Sequence, residues 1–105
     1  MTLKKFDISI SAPALQDLRE IGHYIDSQYN NHNLTEQIIN EIMQMVFSLD
    51  MFPERFVQII VRGKRFRKAI VKHYAIIYSV IKEFKLVSIE RVLYSARDIN
   101  KIKIG

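Results

Sequence analysis

The sequence predicts an α+β fold: a four-stranded antiparallel sheet with a helical hairpin packed on one face and a short C-terminal helix. Three observations lead to this class. Between about residues 15 and 51, apolar residues recur every three to four positions, which is typical of amphipathic helices. Beyond Pro53 the apolar period changes to two, which is typical of strands. The connections are short, so neighbouring elements are expected to run antiparallel in the order β-α-α-β-β-β-α.

The N-terminal part of the chain predicts one strand followed by the first helix. Residues 3–10 alternate between apolar and polar side chains, which indicates a half-buried strand. A helix start follows, because Ser11 can cap the first turn and Pro13 fits there without losing a hydrogen bond. This helix extends to Tyr29, and its apolar stripe is Leu15, Leu18, Ile21 and Ile25.

The second helix is predicted over residues 34–51, after a polar turn at residues 30–33. Pro53 ends it, because proline cannot continue the helical hydrogen bonds. Its stripe is Ile38, Ile42, Met45 and Leu49. Further apolar side chains widen the stripe, namely Ile39, Met43, Val46 and Phe47. The surplus either packs on the sheet or forms a groove for an amphipathic helix from a partner.

The C-terminal half predicts three strands and a last short helix. The strands are placed at residues 65–72, 74–81 and 85–93. Residues 95–98 match a capping box, with Ser95 at the cap and Asp98 three positions on, so a helix is expected over residues 96–102. The two long helices need an apolar surface to cover, and one sheet face supplies it. The other face is expected to stay partly open.

Charge is distributed unevenly along the 105 residues, which carry a net charge of +5. Residues 1–52 have a balance of −4 and residues 53–105 a balance of +9, and no carboxylate occurs between Arg55 and Lys82. We expect the open sheet face to be basic and its partner to be polyanionic, either nucleic acid or an acidic protein segment. The alternative is a solvated strand edge whose cations limit aggregation.

Composition excludes several classes of protein. There is no cysteine, so neither disulfides nor a thiolate site can form, which suits a cytoplasmic location. No apolar segment is long enough to span a membrane, and residues 1–7 lack the apolar region of a signal peptide. The three histidines are not at metal-ligand spacing. We therefore expect one domain over residues 1–105 with no metal, no cofactor and no membrane contact.

Metal-independent RNA cleavage is one chemistry that the side chains permit. It requires acid–base groups near the 2′-hydroxyl and cations that hold the phosphate. His73 and Tyr94 can supply the first, and Arg65 and Arg67, two apart on one strand, can supply the second. Further cations for this role are Lys68, Lys72 and Arg97. The alternatives are a solvated turn for the histidine, strand-end packing for the tyrosine and solvated side chains for the arginines.

Four segments, in order, resemble toxins of the RelE/ParE superfamily. They are ISAPALQDL at residues 10–18, SLDMFPE at 48–54, RKAIV with YAIIYSV at 67–71 and 74–80, and ERVLYSARDI at 90–99. The resemblance spans nearly the whole chain. It implies a four-stranded sheet with a helical hairpin, and a cytoplasmic toxin neutralised by a cognate antitoxin whose partly disordered segment folds as it wraps the toxin.

The superfamily divides into two kinds, and the resemblance is nearer to the ParE-like kind. RelE-like members cut mRNA on the ribosome and place an arginine after the tyrosine that opens the third strand, whereas here Ala75 follows Tyr74. ParE-like members are inhibitors of DNA gyrase, and often have histidine and glycine where this chain has Tyr94 and Ser95. The residues that fit ParE-like chains are Arg67, Arg91, Arg97 and Asp98; we assign Asp98 as a helix cap and Arg91 as a structural ion-pair partner.

The resulting interpretation is a ParE-like toxin with DNA gyrase as the favoured target. Two alternatives stay open, a RelE-like ribosome-dependent mRNA endoribonuclease and a toxin fold that binds partners without being toxic. The side chains expected to bind the target or the antitoxin are Arg65, Arg67, Lys68, Lys72, Arg91 and Arg97. The assembly is expected to be a homodimer or a heterotetramer with the antitoxin.

Overall fold

The computed structural model describes residues 5–97 and 99–104. Its helices and strands are β1 (Asp7–Ile10), α1 (Ala12–Tyr29), α2 (His32–Ser48), β2 (Val57–Val61), β3 (Lys64–Val71), β4 (Tyr74–Ile81) and β5 (Leu86–Tyr94). Single turns of 3-10 helix lie at Pro53–Arg55, Lys82–Phe84 and Ile99–Lys101. The sheet order is β1-β5-β4-β3-β2. The α+β class and the helical hairpin are confirmed, and the last three strands lie within one residue of their predicted bounds.

The sheet has five strands rather than the four predicted, because β2 was missed. The sequence VQIIV of β2 is a nearly continuous apolar run and so lacks the alternation that marked the other strands. It pairs antiparallel with β3 through a two-residue turn. Both turn residues have positive φ, 51° at Arg62 and 80° at Gly63, which is the tight hairpin geometry that matches strand twist.

The first strand is parallel to its neighbour, whereas we predicted a wholly antiparallel sheet. β1 pairs with β5 from Asp7↔Leu86 to Ile10↔Ile89. Since β4 occupies one edge of β5, the other edge is free for β1. The helical hairpin then connects β1, at one edge of the sheet, with β2 at the opposite edge. β1 covers only the first four residues of β5, so the rest of that edge has no strand beside it. The uncovered edge of β5 forms a part of the site described below.

Both helix starts are capped by side chains. The Ser11 hydroxyl accepts a hydrogen bond from the Ala14 N–H at 3.1 Å, which confirms the predicted cap of α1. Asn31 does the same for the Leu34 N–H at 3.2 Å, so α2 begins at His32, two residues earlier than predicted. The tight turn between the helices uses Asn30 in the left-handed region, with φ 46°.

The main core lies between the helical hairpin and one sheet face. Its largest fully buried side chains are Ile25, Ile42, Val46, Leu49, Ile76, Tyr78, Val87 and Ile89. The Tyr78 hydroxyl donates a hydrogen bond to the Pro53 carbonyl at 2.6 Å and so attaches the α2–β2 connection to the sheet. Burial raises the pKa of Tyr78 to about 12, although Arg67 and Arg55 act in the opposite direction.

Replacing Tyr78 with phenylalanine is expected to cost about 1–3 kcal/mol, because the Pro53 carbonyl loses its buried partner. The raised pKa adds a pH signature. The unfolded tyrosine ionises near pH 10 and the folded one near pH 12, so the stabilisation is complete below pH 10 and lost as pH rises towards 12. Urea unfolding of both proteins across that window tests this. An identical pH dependence in wild type and Tyr78→Phe would contradict the assignment.

The opposite sheet face is covered in part, and so is partly open as predicted. A second apolar cluster forms there from Val61, Phe66, Ala75, Ile77, Leu93 and Ile102. Ile102 belongs to residues 99–104, which lie across this face with a single 3-10 turn at Ile99–Lys101 in place of the helix predicted over 96–102. The predicted cap at Asp98 lies outside the described residues. Within residues 5–97 and 99–104, no helix is both long and apolar enough to cross a membrane.

Candidate functional site: a groove beside the helical hairpin

A groove of about 810 Å³, called here the hairpin groove, runs between the helical hairpin and one end of the sheet. Its helical wall comes from α1 and α2, and its other wall from the β3–β4 turn and the end of β5. Apolar side chains such as Ile21, Ile25 and Ile38 form its floor. The groove is also lined by Asp17, Glu20, Tyr24, Tyr29, Glu41, Lys72, His73, Tyr74, Tyr94 and Arg97.

Aromatic side chains dominate one end of the groove. The Tyr74 and Tyr94 rings meet edge-on with centroids 6.1 Å apart, and the His73 ring lies 6.3 Å from that of Tyr94. Burial raises the pKa of Tyr74, and the neighbouring Tyr24, Tyr29 and Tyr94 raise it further. The shift favours the protonated Tyr74 hydroxyl, which can donate a hydrogen bond to a ligand.

A buried ion pair fills the gap that β1 leaves beside β5. The Arg91 guanidinium donates two hydrogen bonds to the Asp17 carboxylate, at 2.7 and 2.8 Å, and a third to the Lys103 carbonyl at 2.9 Å. The Val92 N–H lies on the part of the β5 edge that β1 does not cover, and it donates a hydrogen bond to the same carboxylate at 2.9 Å. The hydrogen bond to Asp17 raises the pKa of Arg91. The arginine thus has the structural ion-pair role that we assigned to it.

Both signs of charge occur on the groove rim. The Lys72 ammonium lies 3.8 Å from a Glu41 carboxylate oxygen that accepts no hydrogen bond. Glu20 adds a second carboxylate, and Arg97 is exposed. This mixture does not select for an anion. It suits a ligand that carries apolar side chains for the floor and charges of both signs for the rim, which is the character of a peptide segment.

The predicted site residues do not lie together. Lys72, His73, Tyr94 and Arg97 come together in the hairpin groove. Arg65 and Arg67 share a sheet face as predicted, but that face is the helical side, because Arg67 pairs with the core residue Tyr78.

Arg67 is further engaged by the α2–β2 connection. Its guanidinium donates to the Glu54 and Phe56 carbonyls at 3.0 and 2.8 Å, and lies 3.5 Å from the Glu54 carboxylate. Lys68 points to the opposite face, since it pairs with Ile77 of the second cluster. The basic strand residues therefore do not form the single open surface that we expected.

Sequence reasoning missed Asp17 and Tyr24. Asp17 lies on the buried side of α1, between Ala14 and Ile21, and an acid on an apolar stripe is a signal for a buried charge with a partner. Tyr24 has no such signal, because it lies outside the stripe and is 57% exposed. Across the part of the chain that the structure describes, no group of three or more histidines or carboxylates could hold a metal.

Several solved toxin structures share this fold. A chromosomal ParDE toxin–antitoxin system from P. aeruginosa superposes with a TM-score of 0.69 at 13% identity, covering 88% of this chain and 98% of that chain. The RelBE2 toxin–antitoxin complex from Mycobacterium tuberculosis gives 0.62 at 19% identity, covering 86% and 98%. The archaeal RelE–RelB complex from Pyrococcus horikoshii gives 0.60 at 16% identity, covering 90% and 99%. The chain thus shares the fold of these toxins.

The family is shown by sequence. Residues 8–99 match the family described as the ParE toxin of the type II toxin–antitoxin system parDE, and the chain belongs to that family. It is a toxin of a type II toxin–antitoxin system. No curated protein sequence matches the chain.

Proposed function

We propose that this toxin inhibits DNA gyrase by binding, without cleaving RNA, and that it acts in the cytoplasm, where that target lies. The observation that carries the proposal is that the two strand arginines, Arg65 and Arg67, lie outside the groove that holds His73 and Tyr94. Arg65 lies near the start of β3, whereas His73 follows its end. At roughly 3.3 Å per residue, about 20 Å separates them along the strand. Arg65 is therefore too far away to hold a phosphate beside His73 and Tyr94, and Arg67 is engaged by the Glu54 and Phe56 carbonyls.

The electrostatics of the hairpin groove support the same proposal. Glu20 and Glu41 line the groove in which His73 and Tyr94 lie, so a phosphodiester there would meet carboxylates as well as cations. Ala75, which stands where RelE-like members have an arginine, is a buried residue of the second cluster. No cation therefore comes from that position.

The proposed antitoxin contact is the hairpin groove. Its apolar floor, aromatic end and mixed rim charges match an antitoxin segment that folds as it binds. Two structural relatives, from Mycobacterium tuberculosis and Pyrococcus horikoshii, are toxin–antitoxin complexes. On the basis of its family, we propose that this chain also has a cognate antitoxin.

Expression of the chain with and without the protein encoded by the adjacent reading frame tests the proposal. We expect growth arrest from the toxin alone, loss of plasmid supercoiling before protein synthesis declines, and rescue by the adjacent protein. Arrest of translation first, with mRNA cut on ribosomes, would contradict gyrase as the target. Harmless expression would instead support the nontoxic binding module.

A ribosome-dependent endoribonuclease is the second candidate, and one observation favours it. The His73 and Tyr94 rings lie 6.3 Å apart in a groove that Lys72 and Arg97 also line, so acid–base groups and cations do meet there. This candidate requires that ribosome-dependent cuts occur and that Tyr94→Phe abolishes them. Retention of cutting by Tyr94→Phe would remove the tyrosine from the mechanism.

A further inference from the structure

Five cations lie around the sheet face opposite the helical hairpin. They come from the β2–β3 turn, from β3 and from the C-terminal segment over residues 99–104. We call this surface the cationic face, and its members are Arg62, Lys64, Lys68, Lys101 and Lys103. Lys68 is half-buried and the other four are exposed.

Strand register fixes two of these side chains on that face. Lys64 pairs with Val61 and Lys68 pairs with Ile77, and both partners belong to the second apolar cluster on this side of the sheet. Phe66, between the two lysines, is buried in the same cluster, which confirms the direction. Successive residues of a strand alternate faces, so Lys64 and Lys68 project from one side of β3, about 13 Å apart.

The C-terminal segment brings the other cations to the same surface. Ile102 packs into the cluster, while its neighbours Lys101 and Lys103 are exposed. The Arg62 Nε donates a hydrogen bond to the Asn100 carbonyl at 3.3 Å and so joins the β2–β3 turn to this segment. Two separate parts of the chain therefore contribute cations to this side of the sheet.

The cationic face is not neutralised by the rest of the described chain. None of its five members forms a salt bridge with a carboxylate of residues 5–97 or 99–104. Two strand carboxylates lie on this sheet face. Glu90 accepts hydrogen bonds from Ser79 at 3.3 Å and Ser88 at 2.8 Å, and Asp7 lies on β1, three strands away from β3. Positive charge is thus left for an external anion.

We infer that the cationic face binds the phosphate backbone of duplex DNA. Single-stranded nucleic acids are bound through aromatic platforms on which bases stack, but the aromatic residue of this face, Phe66, is buried. A surface that has cations but no exposed aromatic side chains is suited to binding phosphates instead. The spacing of about 13 Å between Lys64 and Lys68 is close to the roughly 12 Å width of the major groove, so both can reach phosphates on one side of a duplex.

An acidic protein segment is the competing partner. The apolar cluster on this face is buried, which leaves Val57 and Ile70 as exposed apolar side chains beside Lys68. Two anchors are few for peptide recognition, whereas phosphates need cations alone. The inference does not depend on gyrase being the target. A toxin that inhibits protein synthesis could have the same surface.

Fluorescence anisotropy with a labelled random-sequence duplex of about 20 base pairs tests the inference directly. With four to five phosphates neutralised, affinity is expected to fall by about 10²–10³ between roughly 50 and 200 mM salt. Lys64→Gln with Lys68→Gln should flatten the log–log salt slope by about 2 and weaken binding at low salt at least about tenfold. Lys101→Gln with Lys103→Gln should act similarly, because both pairs contact phosphate.

The matched control removes two cations from other surfaces, through Arg19→Gln with Lys85→Gln. It lowers the net charge equally and is expected to bind the duplex like wild type, with all variants unfolding at the wild-type temperature. Absence of salt-dependent duplex binding would overturn the inference, as would equal losses in the control. Tighter binding of the single strand, or of polyglutamate, than of the duplex would also overturn it and indicate another class of partner.

Discussion

Replacing Arg91 with alanine is expected to destabilise the fold by about 3–5 kcal/mol, because it leaves a buried carboxylate without its countercharge. Asp17 is only 6% exposed, and its carboxylate accepts two hydrogen bonds from Arg91 and one from the Val92 N–H. Removal of Asp17 should cost somewhat less, about 2–4 kcal/mol, since Arg91 can turn towards solvent while the Val92 N–H loses its partner.

Urea unfolding of the single variants and of the double variant Asp17→Ala, Arg91→Ala measures the pair. We expect the double variant to lose less than the two single losses added together, with a coupling of about 1–3 kcal/mol. Arg19→Ala, an exposed arginine on the same helix, is the control and should stay within about 0.5 kcal/mol of wild type. Additive losses from the two single changes would show that the side chains do not stabilise each other.

Replacing Tyr24 with alanine is expected to weaken antitoxin binding by about 30-fold, the effect of losing an interface tyrosine worth about 2 kcal/mol. Tyr24 lines the hairpin groove beside Tyr29 and Tyr74 and is 57% exposed, so its loss removes contact surface without opening the core. Isothermal titration of the purified toxin with its antitoxin measures the change, and this prediction rests on the groove being the antitoxin site.

Phe84 gives a matched control for Tyr24. It is an exposed aromatic residue, 76% accessible, in the 3-10 turn between β4 and β5 and outside the lining of the groove. Phe84→Ala should leave antitoxin affinity unchanged while Tyr24→Ala lowers it. If the two variants lose affinity equally, or only Phe84→Ala does, the antitoxin binds elsewhere.

The helical hairpin was predictable because local chemistry determines it. Helical periodicity and the cap at Ser11 each follow from a few neighbouring residues, and both appear in the structure. The parallel pairing of β1 was not predictable in this way, since β1 and β5 are nearly eighty positions apart in sequence. A short connection indicates that two consecutive strands run antiparallel. It gives no information on two strands, such as β1 and β5, that are separated in sequence by the rest of the domain.

Much of the site was hidden from the sequence for the same reason. His73 and Tyr94 were predicted as candidates, and they meet only because β4 and β5 pair, from Tyr74↔Tyr94 onwards. The direction of Arg67 depends on its register with Tyr78, which alternation alone does not determine. A basic run therefore predicted that cations are present, but not how the sheet divides them between its two faces.

Inhibition of DNA gyrase is decided by adding the purified chain to a supercoiling reaction. We expect supercoiling activity to fall with increasing toxin, in a reaction that contains no ribosomes, and the antitoxin to restore it. Full gyrase activity at saturating toxin, together with cleavage of mRNA in a parallel reaction with translating ribosomes, would contradict this expectation.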